Sequence, residues 1–173
     1  MTMVRGVLVL ALALGLLVVA ACENTDPSPE EAQAIEEAVG GYLNALAEAY
    51  STLDTGSLEG HASPNEIAAV YKLLKELLQT TGDRVDAELI GFDIETMSVF
   101  RGINATVRLI EVWDITRYGA ADGVEKGHFE NTIQRTLLQL RLIEGRWVVV
   151  GRSNLEQQTP VAQPDEAPAE NPL

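Results

Sequence analysis

The chain has 173 residues and a formal net charge of −14, from 26 acidic against 12 basic residues. This length fits one domain. The acidic balance argues against nucleic acid as a partner, because phosphate binding needs clustered lysine and arginine. Hydrophobic residues make up 46% of the chain. That is enough for a core, although part of it forms one continuous apolar run at the N-terminus.

The N-terminal residues 1–21 have the layout of a secretory signal. Arg5 precedes an apolar stretch of fifteen residues, 7–21, which is shorter than the ~20 residues of a membrane-spanning helix. The stretch ends in small residues directly before Cys22, the only cysteine. This junction resembles the lipobox of bacterial lipoproteins. The resemblance implies cleavage after Ala21, a thioether-linked diacylglycerol on Cys22 and fatty acyl chains such as palmitate. The alternative is an ordinary signal, with Cys22 an incidental thiol.

The resemblance implies an exported protein that is anchored in the cell membrane or the outer membrane and faces away from the cytoplasm. Two or three acyl chains would make this anchoring persistent, whereas one chain gives only marginal binding. Residues 22–27 are then a short polar tether. Residues 155–173 contain a proline at every fourth position from Pro160 to Pro172. They predict a disordered acidic tail, either a spacer or docking peptide or an end without a role.

The first half of the remaining domain, residues 28–154, has the pattern of two amphipathic helices. Each begins with a serine cap, a proline at the first helical position and a glutamate three residues after the cap, at Ser28 and at Ser63. Apolar residues then recur in steps of three and four. Gly56 and Gly82 are the predicted stops, and the connection 54–62 has room for a short turn of helix.

The second half changes to the alternation of β-strands. It predicts strands over 85–100, 103–118, 128–143 and 146–152. The alternation slips twice within residues 85–100, which indicates bulges and a bent strand. The predicted fold class is therefore α+β, with two N-terminal amphipathic helices packed on a curled four-stranded antiparallel sheet.

Three segments carry a resemblance to a known fold: the helix-to-strand passage 73–99, the strand 103–119 and the hairpin 140–151. Together they resemble the nuclear-transport-factor-two-like superfamily, a cone-shaped α+β roll. Within it they are similar to the intermembrane-space-type domain of chloroplast division proteins. The superfamily includes isomerases, cyclases, dehydratases and non-catalytic binding domains, so the resemblance implies a fold and leaves the function open.

A roll of this kind would place a pocket between the helices and the concave sheet, and we expect Tyr50, Tyr71 and Trp113 to line it. Glu111 shares the alternating face of Trp113, so an apolar face carries a carboxyl group that is a candidate general acid or base. The alternative is that Glu111 is exposed and pairs with an arginine. Asp114 and His128 are weaker catalytic candidates.

Neither a metal nor a cofactor is expected. The two histidines, His61 and His128, are far apart in sequence and have no cysteine near them, so they make no recognisable ligand set. The main functional hypothesis is a non-catalytic binding or scaffolding module of the cell envelope. The alternatives are a small pocket enzyme of the cyclase or isomerase type and a carrier of an apolar ligand.

Two surface features bear on partners. Residues 28–83 hold ten acidic and two basic residues, whereas 84–154 hold ten and nine; the arginines of the second half either pair across strands or are available to an unidentified envelope protein. The outward face of strand 103–118 has an apolar middle at Ile110 and Val112. This predicts a homodimer through the sheet face, unless the coiled sheet shields these residues itself.

Overall fold

The computed structural model describes residues 24–158, in which two helices precede a long antiparallel meander. Neither helix of this part is both long and apolar enough to cross a membrane. The predicted signal peptide, Cys22 and residues 159–173 lie outside the described residues. The elements in chain order are β1 (Asn24–Thr25), α1 (Pro29–Thr52), a 3₁₀ turn (Gly56–Leu58), α2 (Pro64–Thr81), β2 (Asp83–Phe100), β3 (Asn104–Gly119), β4 (Glu125–Ile143) and β5 (Arg146–Gln158).

Both predicted helix starts are confirmed. At α1, Ser28 Oγ accepts a hydrogen bond from the Glu31 backbone N–H at 3.2 Å, and the Glu31 carboxylate accepts from the Ser28 N–H at 3.1 Å. At α2, Ser63 Oγ accepts from the Glu66 N–H at 3.3 Å. These contacts satisfy N–H groups that a helix start leaves without partners.

The helix ends are partly as predicted. Helix α2 ends at Gly82, which has the left-handed φ of 69° that favours glycine. Helix α1 ends earlier than the predicted stop at Gly56, because Leu53 already adopts a left-handed conformation. Gly56 instead begins the short 3₁₀ turn Gly56–Leu58. This turn lies in the connection 54–62, where a short turn of helix was expected.

The sheet has the strand order β1-β2-β3-β4-β5, with every pair antiparallel. The α+β class with two helices and a curled antiparallel sheet is confirmed. Strand β1 is an addition: Asn24 and Thr25, predicted as part of a free tether, pair with Phe100 and Val99 of β2. At the other end β5 continues to Gln158, so residues 155–158 of the predicted tail belong to the sheet.

Bulges give the sheet its curvature. In β2 the register with β3 shifts between Leu89 and Gly91 and again between Ile94 and Thr96, which confirms the two slips predicted from the alternation. Further shifts occur between β3 and β4 and between β4 and β5. Each extra residue bends its strand and increases the local twist, so the sheet curls around the helices.

The core lies between α1, α2 and the concave face of the sheet. Most apolar residues of the α1 stripe are fully buried, and they face alternate residues of the long strands. The core members that show this layering are Ile35, Val39, Tyr42 and Leu46 of α1, with Val107 and Leu109 of β3 and Leu138 and Leu140 of β4.

Candidate functional site

A cavity of about 280 Å³ opens between the C-terminal half of α1, α2 and the concave face of the sheet. Tyr50 and Trp113, two of the expected pocket residues, are among those that line it. It continues into a second lobe of about 290 Å³ towards the N-terminal half of α2. The walls of the main lobe are formed by Leu46, Tyr50, Leu73, Leu77, Val85, Ala87, Trp113, Ile115, Gln134, Arg152 and Asn154.

Tyr71 does not reach this cavity, so the prediction that it lines the same pocket is wrong. Its side chain is 55% exposed and borders a separate surface depression with Leu53 and Lys75. The reason is helical geometry. Val70 and Leu74 form the buried stripe of α2, and the residue after Val70 is turned about 100° away from that stripe.

A buried ion pair supports the polar wall of the cavity. Arg152 Nη2 donates to Glu111 Oε2 at 2.7 Å and to Gln134 Oε1 at 3.3 Å. Trp113 Nε1 donates to the same Glu111 oxygen at 2.8 Å. Glu111 is fully buried and lies behind the cavity wall rather than on it. Both predicted features, burial on an apolar face and pairing with an arginine, therefore occur together.

The Arg152 guanidinium keeps its charge in this environment. Burial lowers its pKa, but the Glu111 carboxylate, with smaller contributions from Tyr42 and Tyr50, outweighs burial, so the pKa of Arg152 is raised overall. A mostly buried permanent cation therefore forms part of the cavity wall.

Alternation in the sequence does not single out Arg152 as a cavity residue, and the reason lies in β5. Trp147 and Val149 point into the core, so strict alternation would keep odd positions inside. The register with β4 shifts where Val149 and Gly151 pair with Leu140 and Gln139. After this shift Arg152 lies on the inner face. Gly151 within the strand was the available signal, because a glycine in a strand often marks a bulge.

Glu66, which lines the second lobe, makes another buried polar contact. Tyr42 donates its hydroxyl hydrogen to Glu66 Oε1 at 2.8 Å, and Glu66 belongs to the first turn of α2. Burial, together with the Glu66 carboxylate, raises the pKa of Tyr42 well above its usual range. Burial also raises the pKa of Tyr50; Arg152 opposes this shift, and Glu111 and Glu66 add to it. Both phenols therefore remain protonated at neutral pH.

The other two catalytic candidates lie away from the cavity. Asp114 Oδ1 accepts from the Asn131 backbone N–H at 2.7 Å, next to a register shift where Asn131 has a left-handed φ of 52°. His128 is exposed; its Nδ1 lies 2.8 Å from Thr116 Oγ1. Neither residue lines the cavity with Arg152. Within residues 24–158, no group of three histidine, cysteine or carboxylate side chains is placed to hold a metal ion.

Ile110 and Val112 lie on the convex face of the sheet, opposite to the core. Both are half-buried, and so is Leu137 of β4, which is on the same face. The neighbouring Ile133 is exposed. The sheet therefore shields these residues only in part, and the predicted homodimer stays a prediction.

Comparison with known proteins finds a fold and no closer relationship. No family model and no curated protein matches the chain. The chain is similar to the crystal structure of the intermembrane space region of the chloroplast protein ARC6, with a TM-score of 0.58, 14% identity, and coverage of 74% of this chain and 98% of that one. This chain therefore has an α+β fold similar to that of the ARC6 region.

Two further solved structures have lower TM-scores. Aln2 from a Streptomyces species has a TM-score of 0.48 at 11% identity, with coverage of 75% of this chain and 93% of that one. An NTF2-like protein with a cystatin-like fold from Novosphingobium aromaticivorans has a TM-score of 0.40 at 18% identity, with coverage of 84% and 86%. At these TM-scores and identities, neither structure carries a fold or an activity across to this chain.

Proposed function

We propose that this chain is an exported lipoprotein, held to a membrane by acyl chains on Cys22, and that its roll domain is a non-catalytic binding module of the cell envelope. The anchor is supported by the sequence, in which a single cysteine follows an apolar signal segment. Asn24, only two residues further on, already pairs with β2. The domain would therefore be attached to its anchor almost directly.

The placement of Glu111 is the observation that favours binding over catalysis. General acid–base catalysis needs a titratable group within hydrogen-bond reach of the reacting proton. Glu111 is fully buried behind the wall and accepts hydrogen bonds from Arg152 and Trp113. Among the described residues, neither a carboxylate nor a histidine lines the main lobe, and the Glu66 carboxylate at the second lobe accepts a hydrogen bond from Tyr42. Its polar groups are suited to holding a ligand.

The chemistry of the walls indicates the class of ligand. Leu46, Leu77 and Ile115 supply apolar surface, and Arg152 with Tyr50 supplies a cation and a neutral hydroxyl. This combination fits a small molecule or a peptide side chain with an apolar body and an anionic or hydrogen-bond-accepting end. A volume near 280 Å³ is close to the ~300 Å³ at the lower end of small-molecule sites.

The test fills the cavity. Leu77→Trp places a larger side chain in the main lobe, whereas Tyr71→Trp adds bulk to α2 outside it and serves as the matched control. We expect native lipoprotein purified in mild detergent to retain a small molecule that mass spectrometry detects. Leu77→Trp should lose this molecule and Tyr71→Trp should keep it. Retention of the same molecule by both variants would contradict the proposal.

A small pocket enzyme is the second candidate, and one observation favours it. Glu111 Oε1 is buried and has no hydrogen-bond partner among the described residues. Arg152 donates to the other carboxylate oxygen, Oε2. If Glu111 takes part in a reaction, Glu111→Gln should abolish turnover of a metabolite and leave the melting temperature unchanged. A change in melting temperature with no activity in the wild-type protein would support the structural role.

A further inference from the structure

Glu66 gives the second lobe of the cavity a carboxylate. Its side chain is only 7% exposed, and its Oε1 accepts the hydrogen bond from Tyr42 at 2.8 Å. The residue lines the second lobe, and within residues 24–158 neither a lysine nor an arginine forms an ion pair with it. A buried carboxylate without a cation is costly. A ligand that brings a cation into this lobe therefore gains a charge-assisted hydrogen bond.

Arg152 lines the same lobe but pairs elsewhere. It forms its ion pair with Glu111 behind the wall and not with Glu66. Its two hydrogen bonds in the described part of the chain, to Glu111 and Gln134, both leave from Nη2. A guanidinium has five N–H donors, so Nη1 keeps its hydrogens for a ligand. The second lobe therefore presents a cation and an anion that do not pair with each other.

The residues shared by the two lobes lie where the lobes meet. Tyr50, Asn154 and Arg152 line both lobes. The Tyr50 hydroxyl, which stays protonated, is a hydrogen-bond donor, and the Asn154 amide is both a donor and an acceptor. Leu73 also lines both lobes and is 48% exposed, so this junction lies close to solvent. Beyond it the main lobe has a largely apolar wall, formed by Leu77, Val85, Ala87, Trp113 and Ile115.

We propose that the two lobes together bind a free apolar α-amino acid. This inference rests on the binding function proposed above and names the class of ligand. The ammonium group binds Glu66, the carboxylate binds Arg152 and the Tyr50 hydroxyl, and the apolar side chain occupies the main lobe. An amino acid carries both charges on one carbon atom, so a single ligand pairs with two unlike groups that do not pair with each other. Hydrogen bonds of this charge-assisted kind are about twice as strong as neutral ones.

Charge distinguishes this ligand from simpler molecules with the same apolar body. A carboxylic acid without the ammonium group reaches Arg152, but it places a second negative charge in the lobe that holds Glu66. An amine without the carboxylate reaches Glu66, but it leaves its cation beside Arg152. Each of these ligands keeps one favourable contact and adds a repulsion between like charges. The zwitterion keeps both contacts and balances each repulsion with an attraction.

The first experiment compares three ligands on the full-length wild-type lipoprotein in mild detergent. L-Phenylalanine carries both charges, 3-phenylpropionate lacks the ammonium group, and 2-phenylethylamine lacks the carboxylate. Isothermal titration calorimetry at pH 7 measures the three affinities. We expect phenylalanine to bind at least about ten-fold more tightly than either of the other ligands, because one hydrogen bond to a charged group contributes roughly this factor.

A conservative variant tests the ammonium contact. Glu66→Gln keeps an acceptor for the Tyr42 hydroxyl and removes the charge, whereas Glu76→Gln removes an exposed charge from the same helix and is the matched control. We expect Glu66→Gln to weaken the binding of phenylalanine about ten-fold and to bind 3-phenylpropionate no more weakly than the wild-type protein does. Glu76→Gln should bind all three ligands as the wild-type protein does.

Three results would overturn the amino-acid ligand. The first is a 3-phenylpropionate or 2-phenylethylamine affinity equal to that of phenylalanine, a comparison that needs no variant and decides the proposal even where Glu66→Gln does not fold. The second is a folded Glu66→Gln protein that keeps the wild-type preference for phenylalanine. The third is failure of both phenylalanine and L-leucine to bind at millimolar concentration.

The molecule retained on purification separates this failure from a failure of the proposed function. A wild-type protein that binds neither amino acid but retains another molecule, which Leu77→Trp loses, would overturn only the amino-acid ligand. A wild-type protein that binds neither amino acid and retains no molecule would overturn both proposals.

Discussion

Arg152 and Glu111 connect the cavity wall to the core of the sheet, and their pairing yields the first prediction. Arg152→Met leaves the Glu111 carboxylate buried without its cation, which we expect to cost about 3–5 kcal/mol of unfolding free energy. The double variant Glu111→Leu with Arg152→Met removes both charges and should cost much less than the sum of the single changes. Urea unfolding of the four proteins measures this coupling. Additive effects would show that the pair is not a unit.

Asp83 yields a prediction about pH. The hydrogen bond from Arg117, reinforced by Lys126 at 3.4 Å, lowers the pKa of this carboxyl group, and burial opposes the shift. A group whose pKa is depressed in the folded state stabilises it above the unfolded pKa, ~3.9 for aspartate, and this stability is lost as the pH falls further.

We therefore expect the wild-type protein to lose stability from about pH 4 downwards and Asp83→Asn to lose less over the same range. Urea midpoints at pH 7, 4 and 2.5 measure the difference. Asp86→Asn, a change at an exposed acid of the same strand, is the control. Parallel curves for the wild-type protein and Asp83→Asn would contradict the assignment.

At the scale of elements, the two adjacent glycines of α1 behave differently. A β-carbon at Gly41 would lie 2.8 Å from His61 Nδ1, whereas one at Gly40 would make ordinary contact with the Phe92 ring at 3.5 Å. The close contact with the 59–62 connection explains why α1 has a glycine at position 41. The structure shows no comparable need at Gly40.

The prediction follows from helix propensity. Gly40→Ala should stabilise the protein by about 0.5–1 kcal/mol, because alanine is the better helix former. Gly41→Ala should give a smaller gain or a loss, since the His61 ring must move. In a His61→Ala background, Gly41→Ala should recover the gain of Gly40→Ala. Thermal unfolding of these variants measures the difference, and equal effects of the two glycine changes in the wild-type background would show that the contact is unimportant.

The elements themselves were largely predictable because their signals are local. The caps at Ser28 and Ser63, the left-handed Gly82 and the slips in β2 each depend on a few neighbouring residues. The cavity was only half predictable. Tyr50 and Trp113 follow from periodicity, but Arg152 reaches the inner face through a bulge whose position depends on pairing with β4, and the partner of Glu111 depends on the curvature of the whole sheet.

At the scale of the whole molecule, apolar residues on the convex face of the sheet remain half-buried. The homodimer through this face is therefore still a prediction. Ile110, Val112 and Leu137 share this face, and a second copy of the domain can cover them through a two-fold interface. We expect the protein in detergent to be a dimer by light scattering, with Ile110→Lys plus Val112→Lys giving a monomer that keeps its fold. A wild-type protein that is already monomeric at tens of micromolar would contradict this.

The acyl anchor on Cys22 is the claim from which the location of the molecule follows. Cys22→Ala removes the only thiol of the chain and leaves every described contact unchanged. The most direct measurement is fractionation of cells that express the wild-type protein or Cys22→Ala. We expect the wild-type protein to need detergent for release, and we expect the variant to be released without it and to have the same melting temperature. A Cys22→Ala protein that still requires detergent would contradict the acyl anchor on Cys22.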